Sequence, residues 1–216
     1  GDLAVCGTVN DLAMVGAKPL YLTAGFILPE GFPVDGLIAI AEAMARRAEE
    51  AEVRIVAGDT KVVEPGSGPF VNTSGVGTVA DGVNVSGHGA RLGDAVLLTG
   101  DVGRHGVAVL SRREGIAFET EIVSDVAPVA GIVSALIEAR VELHTLRDPT
   151  RGGIAEALNE IAAQSGVEIE IDEDRVPVQP GVRSACELLG LDPFHVANEG
   201  CALVFVPENE AGRALD

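Results

Sequence analysis

The sequence is poor in aromatic and in basic residues, and both shortages limit what the protein does. It has no Trp, one Tyr and six Phe, so a core drawn from the 47% of hydrophobic residues must consist mainly of Ala, Val, Leu and Ile. Only 15 Lys and Arg stand against 33 Asp and Glu, which gives a formal net charge of −18. Nucleic acids and anionic membranes are therefore excluded as main partners, because proteins neutralise such polyanions with basic side chains.

Cysteines and long apolar segments are also scarce. Cys6, Cys186 and Cys201 are odd in number and far apart, without a CxxC pair or a zinc-type spacing. A disulfide framework is therefore not expected, and we interpret the three as small buried side chains of a cytoplasmic protein. The sequence contains no run of about 18 apolar residues that would predict a membrane span, and no signal peptide is visible.

The two ends of the sequence look incomplete. The first residue is Gly1 rather than Met, and the last residues, ENEAGRALD, read as an unfinished helix. We therefore expect the chain to be part of a longer protein.

Helices and strands alternate along the chain, which predicts an α/β or α+β fold. The predicted elements of the first half are helices at 2–15 and 34–52 and strands at 19–29, 53–64 and 68–80. The last two strands flank the turn EPGSG and are expected to form a hairpin. The glycine-rich stretch at 81–94 predicts a boundary between an N-terminal domain, 1–81, and a C-terminal domain, 82–216.

The second half continues the alternation of helices and strands. The segment VEIEID at 167–172 alternates strictly between apolar and acidic residues, as a half-buried strand does. The other predicted elements are strands at 95–100, 142–146 and 202–207 and helices at 106–114, 126–140, 181–190 and after the RGG motif at 151–153.

The stretch RDPTRGGIAEALNEIA, residues 147–162, has an unusual helix entrance. The proline after Asp148 keeps this aspartate out of the helix, and Thr150 is placed to cap it. Two glycines beside Arg151 indicate that something approaches the main chain, and a helix N-terminus attracts phosphate. Because an aspartate repels phosphate unless a cation lies between them, the stretch predicts a metal–nucleotide site. The alternative is an Asx-type turn before an ordinary helix.

A second polar motif, GDTK, interrupts a segment that otherwise reads as an apolar strand. Such groups are costly to bury unless they are satisfied. The functional interpretation makes Asp59 a metal ligand, Thr60 a hydroxyl donor and Lys61 a cation directed to phosphate. The alternative is a bulge or turn at Gly58.

A third aspartate lies inside the first predicted helix, where aspartate is a poor helix former. Asp11 falls away from the apolar stripe of that helix, on a side where Ala4, Gly7 and Thr8 are all small. Small residues leave room for something to dock, and three carboxylates with phosphate oxygens would suit magnesium. The alternative for Asp11 alone is a solvated helix face.

Other motifs carry weaker signals. The turn TGDVGRHG at 99–106 is glycine-rich, and HVANEG places Asn198 and Glu199 before an apolar strand, where a carboxylate can act as a base. A structural role is the favoured interpretation for His195, and His88 and His144 carry no motif. No Walker sequence, strand–GxGxxG–helix unit or GxSxG motif is present, so a nucleotide site must be of another type.

Taken in order, CGTVNDLAMVGAKP, GDTKV, GDVGRHG, DPTRGG and ANEG resemble the HypE family of hydrogenase maturation factors, along essentially the whole chain. That family is part of the PurM-type, aminoimidazole ribonucleotide synthetase-like superfamily of ATP-binding proteins. The resemblance implies a homodimer of two-domain α/β (α+β) subunits, with the N-terminal strands of two subunits forming a shared barrel and a C-terminal α/β domain packed alongside.

The resemblance also implies a set of site residues. Magnesium would be held by the aspartates that match Asp11, Asp59 and Asp148, and Lys61 and Glu199 would be catalytic, with Glu199 as the proton acceptor. The residues implied in ATP binding are Asn10, Asp11, Asp59, Thr60, Asp148, Thr150, Arg151 and Gly152.

The implied activity is that of an ATP-dependent carbamoyl dehydratase, a lyase. Members of the family receive a carbamoyl group on a C-terminal cysteine from the carbamoyltransferase HypF. They use ATP to eliminate the carboxamide oxygen, and the cyano group of the resulting thiocyanate passes to the iron of [NiFe]-hydrogenase through the scaffold proteins HypC and HypD. Phosphoryl transfer needs mainly positioning and charge neutralisation, which this residue set would supply.

The chain departs from the family pattern at both ends. The tail with the acceptor cysteine is absent after Asp216, and the glycine-rich segment that helps to cover ATP is absent before Gly1. We therefore expect no turnover and weakened ATP binding by this chain alone. Two alternatives remain: another small-molecule kinase or synthetase of the superfamily, and a non-catalytic module that docks maturation partners. The second predicts that substituting any of the three aspartates leaves nucleotide affinity unchanged.

Overall fold

The computed structural model describes residues 1–66, 68–116 and 121–216. The chain divides into two compact units. Unit 1 comprises Gly1–Asp81 with Pro128–Ser134, and unit 2 comprises Gly82–Ala127 with Ala135–Asp216. No helix within the described ranges is both long and apolar enough to cross a membrane.

Unit 1 is a three-stranded sheet with helices. Its elements are α1 (Asp2–Met14), β1 (Ala17–Pro29), α2 (Val34–Glu50), β2 (Arg54–Val63) and β3 (Phe70–Val79). The strand order is β2-β1-β3, in which β2 runs parallel and β3 antiparallel to β1. All five elements were predicted from the sequence, and the mixed α/β class is confirmed.

The predicted hairpin of β2 and β3 is wrong, because β1 lies between the two strands. Helix α2 provides the crossover that a parallel β1–β2 pair requires, and β3 then pairs with the other edge of β1. Apolar periodicity predicts that a segment is a strand, but it carries no information about which strand is its neighbour.

Strand β3 packs directly on α1. An ideal Cβ at Gly75 would lie 2.8 Å from side-chain carbons of Leu12, Leu22 and Thr8, so only a glycine allows this approach. The Thr73 hydroxyl donates to the Ala4 carbonyl at 2.6 Å and lies 2.6 Å from the Thr8 hydroxyl. The small residues of α1 that were expected to leave room for docking therefore include two, Ala4 and Thr8, that accommodate β3.

Unit 2 is built on an antiparallel sheet with β6 at its centre. Its elements are β4 (Asp94–Leu98), α3 (Arg104–Glu114), β5 (Thr145–Arg147), α5 (Gly153–Ser165), α6 (Pro180–Leu189), β6 (Leu203–Pro207) and α7 (Ala211–Leu215), and α4 (Ala130–Glu138) runs across the division between the units. The strand order is β4-β6-β5. Phe205 of β6 is 1% exposed and packs with Ile154 and Ile161 of α5 in the main core of the unit.

The alternating segment at 167–172 is not a strand, and no described strand pairs with it. Val167 and Ile169 pack against the main core of unit 2, while Glu168 and Glu170 are exposed. The alternation therefore reports burial of every second side chain, which an extended segment on a helix achieves without a strand partner.

One histidine that carries no sequence motif is a structural element of unit 2. His144 is buried, with Nδ1 2.9 Å from both carboxylate oxygens of Asp94 and Nε2 3.0 Å from Oε1 of Glu142. The neighbouring Thr145 hydroxyl donates to the Ser86 carbonyl at 3.0 Å. Together these bonds fasten the glycine-rich stretch before β4 to β5.

Candidate functional site

The glycines of the DPTRGG motif are required by the chain itself. Helix α5 follows Gly152, and both Gly152 and Gly153 have positive φ, 75° and 62°. An ideal Cβ at Gly153 would lie 2.4 Å from the Phe194 carbonyl oxygen and 2.8 Å from that of Val196. The close approach that the sequence predicted is therefore made by the main chain of 194–196.

The predicted cap of this helix is wrong. No side chain caps α5, because the helix begins at Gly153 rather than directly after Thr150. Thr150 instead uses its main chain, accepting from the Gly153 N–H at 3.1 Å and donating to the Asp148 carbonyl at 3.0 Å. The left-handed pair of glycines adds a turn between the two, which a cap prediction from residue type does not include.

One buried side chain joins three of the motifs. Asn198 of ANEG is 1% exposed. Its Oδ1 accepts from the Gly103 N–H of GDVGRHG at 2.7 Å, and its Nδ2 donates to the Pro149 carbonyl of DPTRGG at 3.0 Å and to the Val196 carbonyl at 3.1 Å. The Asn198 N–H also donates to the Pro149 carbonyl, at 3.1 Å. Motifs that are far apart in sequence thus converge on one amide group.

A second buried polar residue holds the peptide that carries Glu199. Asp125 is 7% exposed, and its Oδ2 accepts from the N–H groups of Glu199 and Gly200, both at 3.0 Å. An ideal Cβ at Gly200 would lie 1.7 Å from the Asp125 carbonyl oxygen, so the two chain segments are in direct contact. The half-buried Glu199 is therefore held beside the DPTRGG and GDVGRHG loops.

An acidic environment surrounds the buried thiol next to this peptide. Burial, reinforced by the negative charges of Asp125, Asp101 and Asp148, raises the pKa of Cys201 to about 12. Asp101 is bonded to Nε of Arg104 at 2.6 Å and to Nε2 of Gln179 at 2.7 Å. The Asp148 of the opening motif thus lies within electrostatic range of two further carboxylates in unit 2.

We expect none of the three cysteines to react with a maleimide in the folded protein at neutral pH. All three are free and buried, and burial also raises the pKa of the Cys186 thiol, so little nucleophilic thiolate forms. Mass spectrometry should detect no adduct under native conditions and three adducts in denaturant. Rapid labelling of any of them in the native protein would contradict this burial.

In unit 1, GDTK lies on the exposed outer strand β2. Lys61 Nζ is 2.5 Å from Oδ2 of Asp59, and both side chains are 69% exposed. The bond from Lys61, followed by the bond from the Thr60 N–H at 2.8 Å, lowers the pKa of Asp59. The three residues are therefore brought together as an ionised cluster that is open to a ligand.

The two predicted residues of α1 differ in exposure. Asn10 is 2% exposed, and its Oδ1 accepts from the Val129 N–H at 2.9 Å, whereas Asp11 is exposed on the next position of the helix. Asn10 thus has a structural bond within unit 1, and its predicted contact with a nucleotide stays a prediction, as does that of Asp11.

The structure therefore assembles the predicted residues in separate groups. Unit 2 brings the 148–152 loop and Glu199 together, and unit 1 holds Asp59, Thr60 and Lys61 as one group and Asn10 with Asp11 as another. Within the described residues, no three His, Cys, Asp or Glu side chains are close enough together to form a metal site. Sequence reasoning missed Asp125 entirely and noted Asn198 without a role, because a hydrogen bond to distant main chain leaves no local pattern.

Comparison with known proteins assigns both parts of the chain to one family. The N-terminal domain of AIR synthase related proteins matches residues 1–79, and the C-terminal domain matches residues 91–216. The carbamoyl dehydratase HypE of Bradyrhizobium diazoefficiens is 54% identical over 100% of this chain, which spans 63% of that protein. The hydrogenase expression/formation protein HupE of Azotobacter chroococcum is 53% identical over 100% of the chain, which spans 64% of it.

Solved structures agree with these relatives. A hydrogenase maturation protein HypE in complex with ATP matches 99% of this chain at 46% identity and a TM-score of 0.96, with 64% of that protein covered. A chain of a HypE–HypF complex matches 99% at 54% identity and a TM-score of 0.95, with 71% covered. The thiamine monophosphate kinase of Aquifex aeolicus, at 21% identity and a TM-score of 0.72 over 96% of this chain and 74% of its own, shares the fold alone.

Proposed function

The chain belongs to the AIR synthase related protein family and, within it, to the HypE proteins, and from that membership we propose that it forms the ATP-binding core of a carbamoyl dehydratase. The observation that carries the proposal is the convergence of GDVGRHG, DPTRGG and ANEG on Asn198. This convergence places Glu199 next to a glycine-rich helix entrance. A site for phosphoryl transfer followed by proton removal needs that combination.

The proposed reaction converts a cysteine S-carbamoyl group into a thiocyanate. The carboxamide oxygen attacks the γ-phosphorus of ATP, an O–P bond forms, and the bond to the β-phosphate oxygen breaks as ADP leaves. One proton leaves the nitrogen in this step. Removal of the second N–H proton then forms the C≡N bond while the C–O bond breaks and inorganic phosphate departs. Phosphorylation turns a poor leaving group into a good one.

The residues of unit 2 fit the first part of this reaction. Asp148, Thr150, Arg151 and Gly152 precede α5, whose N-terminus favours anions. In unit 1, Asp11 and Asp59 present exposed carboxylates, and hard oxygen donors of this kind suit magnesium. A bound magnesium would neutralise charge on the phosphates. ATP is therefore the proposed cosubstrate, with Asp11, Asp59 and Asp148 as the proposed metal ligands.

The proposed catalytic side chains are Lys61 and Glu199. The Lys61 ammonium is exposed on β2 and is paired only with a group that is itself exposed, so it can reorient toward a phosphate. Glu199 is half-buried on a peptide held by Asp125. A fixed, partly desolvated carboxylate is suited to accept the N–H proton in the elimination step.

A homodimer formed through unit 1 is part of the proposal. Both outer strands of its sheet expose large apolar side chains, including Val56 (58%) and Val62 (68%) on β2 and Phe70 (56%) on β3. No described strand pairs with the outer edge of β2. Exposed edges with apolar side chains promote pairing with another chain, and a second copy would cover this surface.

The other proposed partners are those that deliver and receive the carbamoyl-derived group. A related chain is found in a HypE–HypF complex, and we infer a carbamoyl-donating partner of that kind, with HypC and HypD as the receiving scaffold. Because the three cysteines are free and the reaction uses ATP, the reducing cytoplasm is the proposed compartment.

Replacing Asp148 with Asn should weaken binding of magnesium-ATP at least about tenfold, because a lost interaction between charged groups costs about 1.5–3 kcal/mol. Isothermal titration of the chain, extended at both ends to the length of its relatives, measures this. Asp174→Asn, which changes an exposed carboxylate elsewhere in unit 2, is the matched control and should bind like the parent. Equal affinity of parent and Asp148→Asn, or no binding by the extended parent, would refute the proposed site.

A further inference from the structure

The two oxygens of the Asp125 carboxylate have different surroundings. Oδ2 accepts two main-chain N–H groups, from Glu199 and Gly200. Oδ1 is buried and has no hydrogen-bond partner among the described residues. A buried carboxylate that is only half satisfied is costly to maintain. A purely structural anchor for two N–H groups would be met by a neutral carbonyl oxygen without that cost.

The segment that follows Asp125 completes the hold on this peptide. The Ala127 N–H donates to the Glu199 carbonyl at 3.4 Å, and the approach of the Asp125 carbonyl to Gly200 excludes any side chain at that position. On the other side, Asn198 is bonded to the Pro149 carbonyl. The main chain of Glu199 is thus bonded through both its N–H and its C=O groups and is flanked by two immobilised residues.

We propose that Asp125 is the positioning residue for Glu199. It fixes the peptide from which the Glu199 carboxylate projects, so that this carboxylate keeps one location relative to the DPTRGG loop. This inference rests on the proposed function, in which Glu199 accepts the N–H proton from the phosphorylated thiocarbamate. Asp125 itself contacts neither nucleotide nor substrate in this assignment, and its effect is expected on the elimination step rather than on nucleotide affinity.

The test compares Asp125→Ala with Asp125→Asn in the full-length protein carrying the carbamoylated acceptor cysteine. The asparagine keeps an oxygen that can accept both N–H groups, whereas alanine removes the acceptor. Single-turnover formation of thiocyanate, followed by the loss of one water from the intact mass, should slow about tenfold or more in Asp125→Ala and remain within about threefold of the parent in Asp125→Asn. The Kd for magnesium-ATP should change less than about twofold in both.

A merely structural role gives a different result. In that case Asp125→Ala would lower nucleotide affinity and the melting temperature together with the rate, and the inference would be overturned. If Asp125→Ala does not fold, Asp125→Ser replaces it, because the short hydroxyl cannot serve both N–H groups. Wild-type turnover by whichever of the two folds would also overturn the inference.

The variant Glu199→Gln separates this inference from the proposed function. If Glu199→Gln turns over like the parent, the proposed base is wrong, whatever Asp125 does. If Glu199→Gln is slow and Asp125→Ala is not, only the positioning role fails. The expected outcome is that both are slow and that the double variant is no slower than Glu199→Gln alone, because residues that act as one unit are not additive.

Discussion

Replacing Gly200 with Ala should destabilise the protein by about 3–5 kcal/mol, since the added methyl group overpacks the contact and costs buried hydrogen bonds. The Cβ would be placed 1.7 Å from the Asp125 carbonyl oxygen, which is main chain and cannot rotate away. The two segments must separate, and the bonds from the Glu199 and Gly200 N–H groups to Asp125 would be lost. Urea unfolding followed by circular dichroism measures the difference.

The matched control for this variant is Gly181→Ala. Gly181 lies in helix α6 of the same unit, and the nearest atom to its ideal Cβ is 3.8 Å away, an ordinary contact. Alanine is about 0.5–1 kcal/mol more favourable than glycine inside a helix, so this variant should be as stable as the parent or more so. Equal stability of Gly200→Ala and Gly181→Ala would contradict the described contact.

Replacing Asn198 with Ala should cost about 2–4 kcal/mol. The change leaves the buried Gly103 N–H and Val196 carbonyl without their side-chain partner and removes one of two bonds to the Pro149 carbonyl. An unsatisfied buried group costs about 1–3 kcal/mol. The same urea titration measures the loss, and the affinity for magnesium-ATP should fall with it, because the three loops are no longer held together.

An exposed asparagine of the same unit provides the comparison. Asn159 on α5 makes a single bond, to the Ala155 carbonyl at 2.8 Å. Surface substitutions of this kind usually change stability by less than about 0.5 kcal/mol. If Asn198→Ala were as stable as Asn159→Ala, the three loops would not depend on the Asn198 amide.

Local pattern predicted most of the secondary structure but not the pairing of strands. The apolar spacing of α1 and the length of β1 were sufficient to place these elements. The position of β1 between β2 and β3 depends on the crossover through α2, which a window of neighbouring residues does not contain. The segment at 167–172 failed for a related reason: alternate burial specifies which side chains face the core, whereas a strand also needs a partner.

At the candidate site, residue type was informative where the chemistry is local. The glycines at 152 and 153 were correctly interpreted as places of close approach, but the approaching group is the main chain of 194–196. Asp125 and Asn198 act through bonds to main-chain atoms of distant segments. Any residue supplies a main-chain N–H or C=O, proline's missing N–H aside, so no sequence pattern marks the receiving positions.

The separation along the chain of the groups that Asn198 joins also has a consequence for the order of folding. Its bonds close loops of 49 residues to Pro149 and 95 residues to Gly103, and the Asp125 bond to Gly200 spans 75 residues. Contacts of such long range pay their loop-closure entropy before they are rewarded, so they tend to form after local helices and hairpins. We infer that the site is completed late, on a sheet and helices already in place, and that its bonds act mainly as a brake on unfolding rather than as an aid to folding.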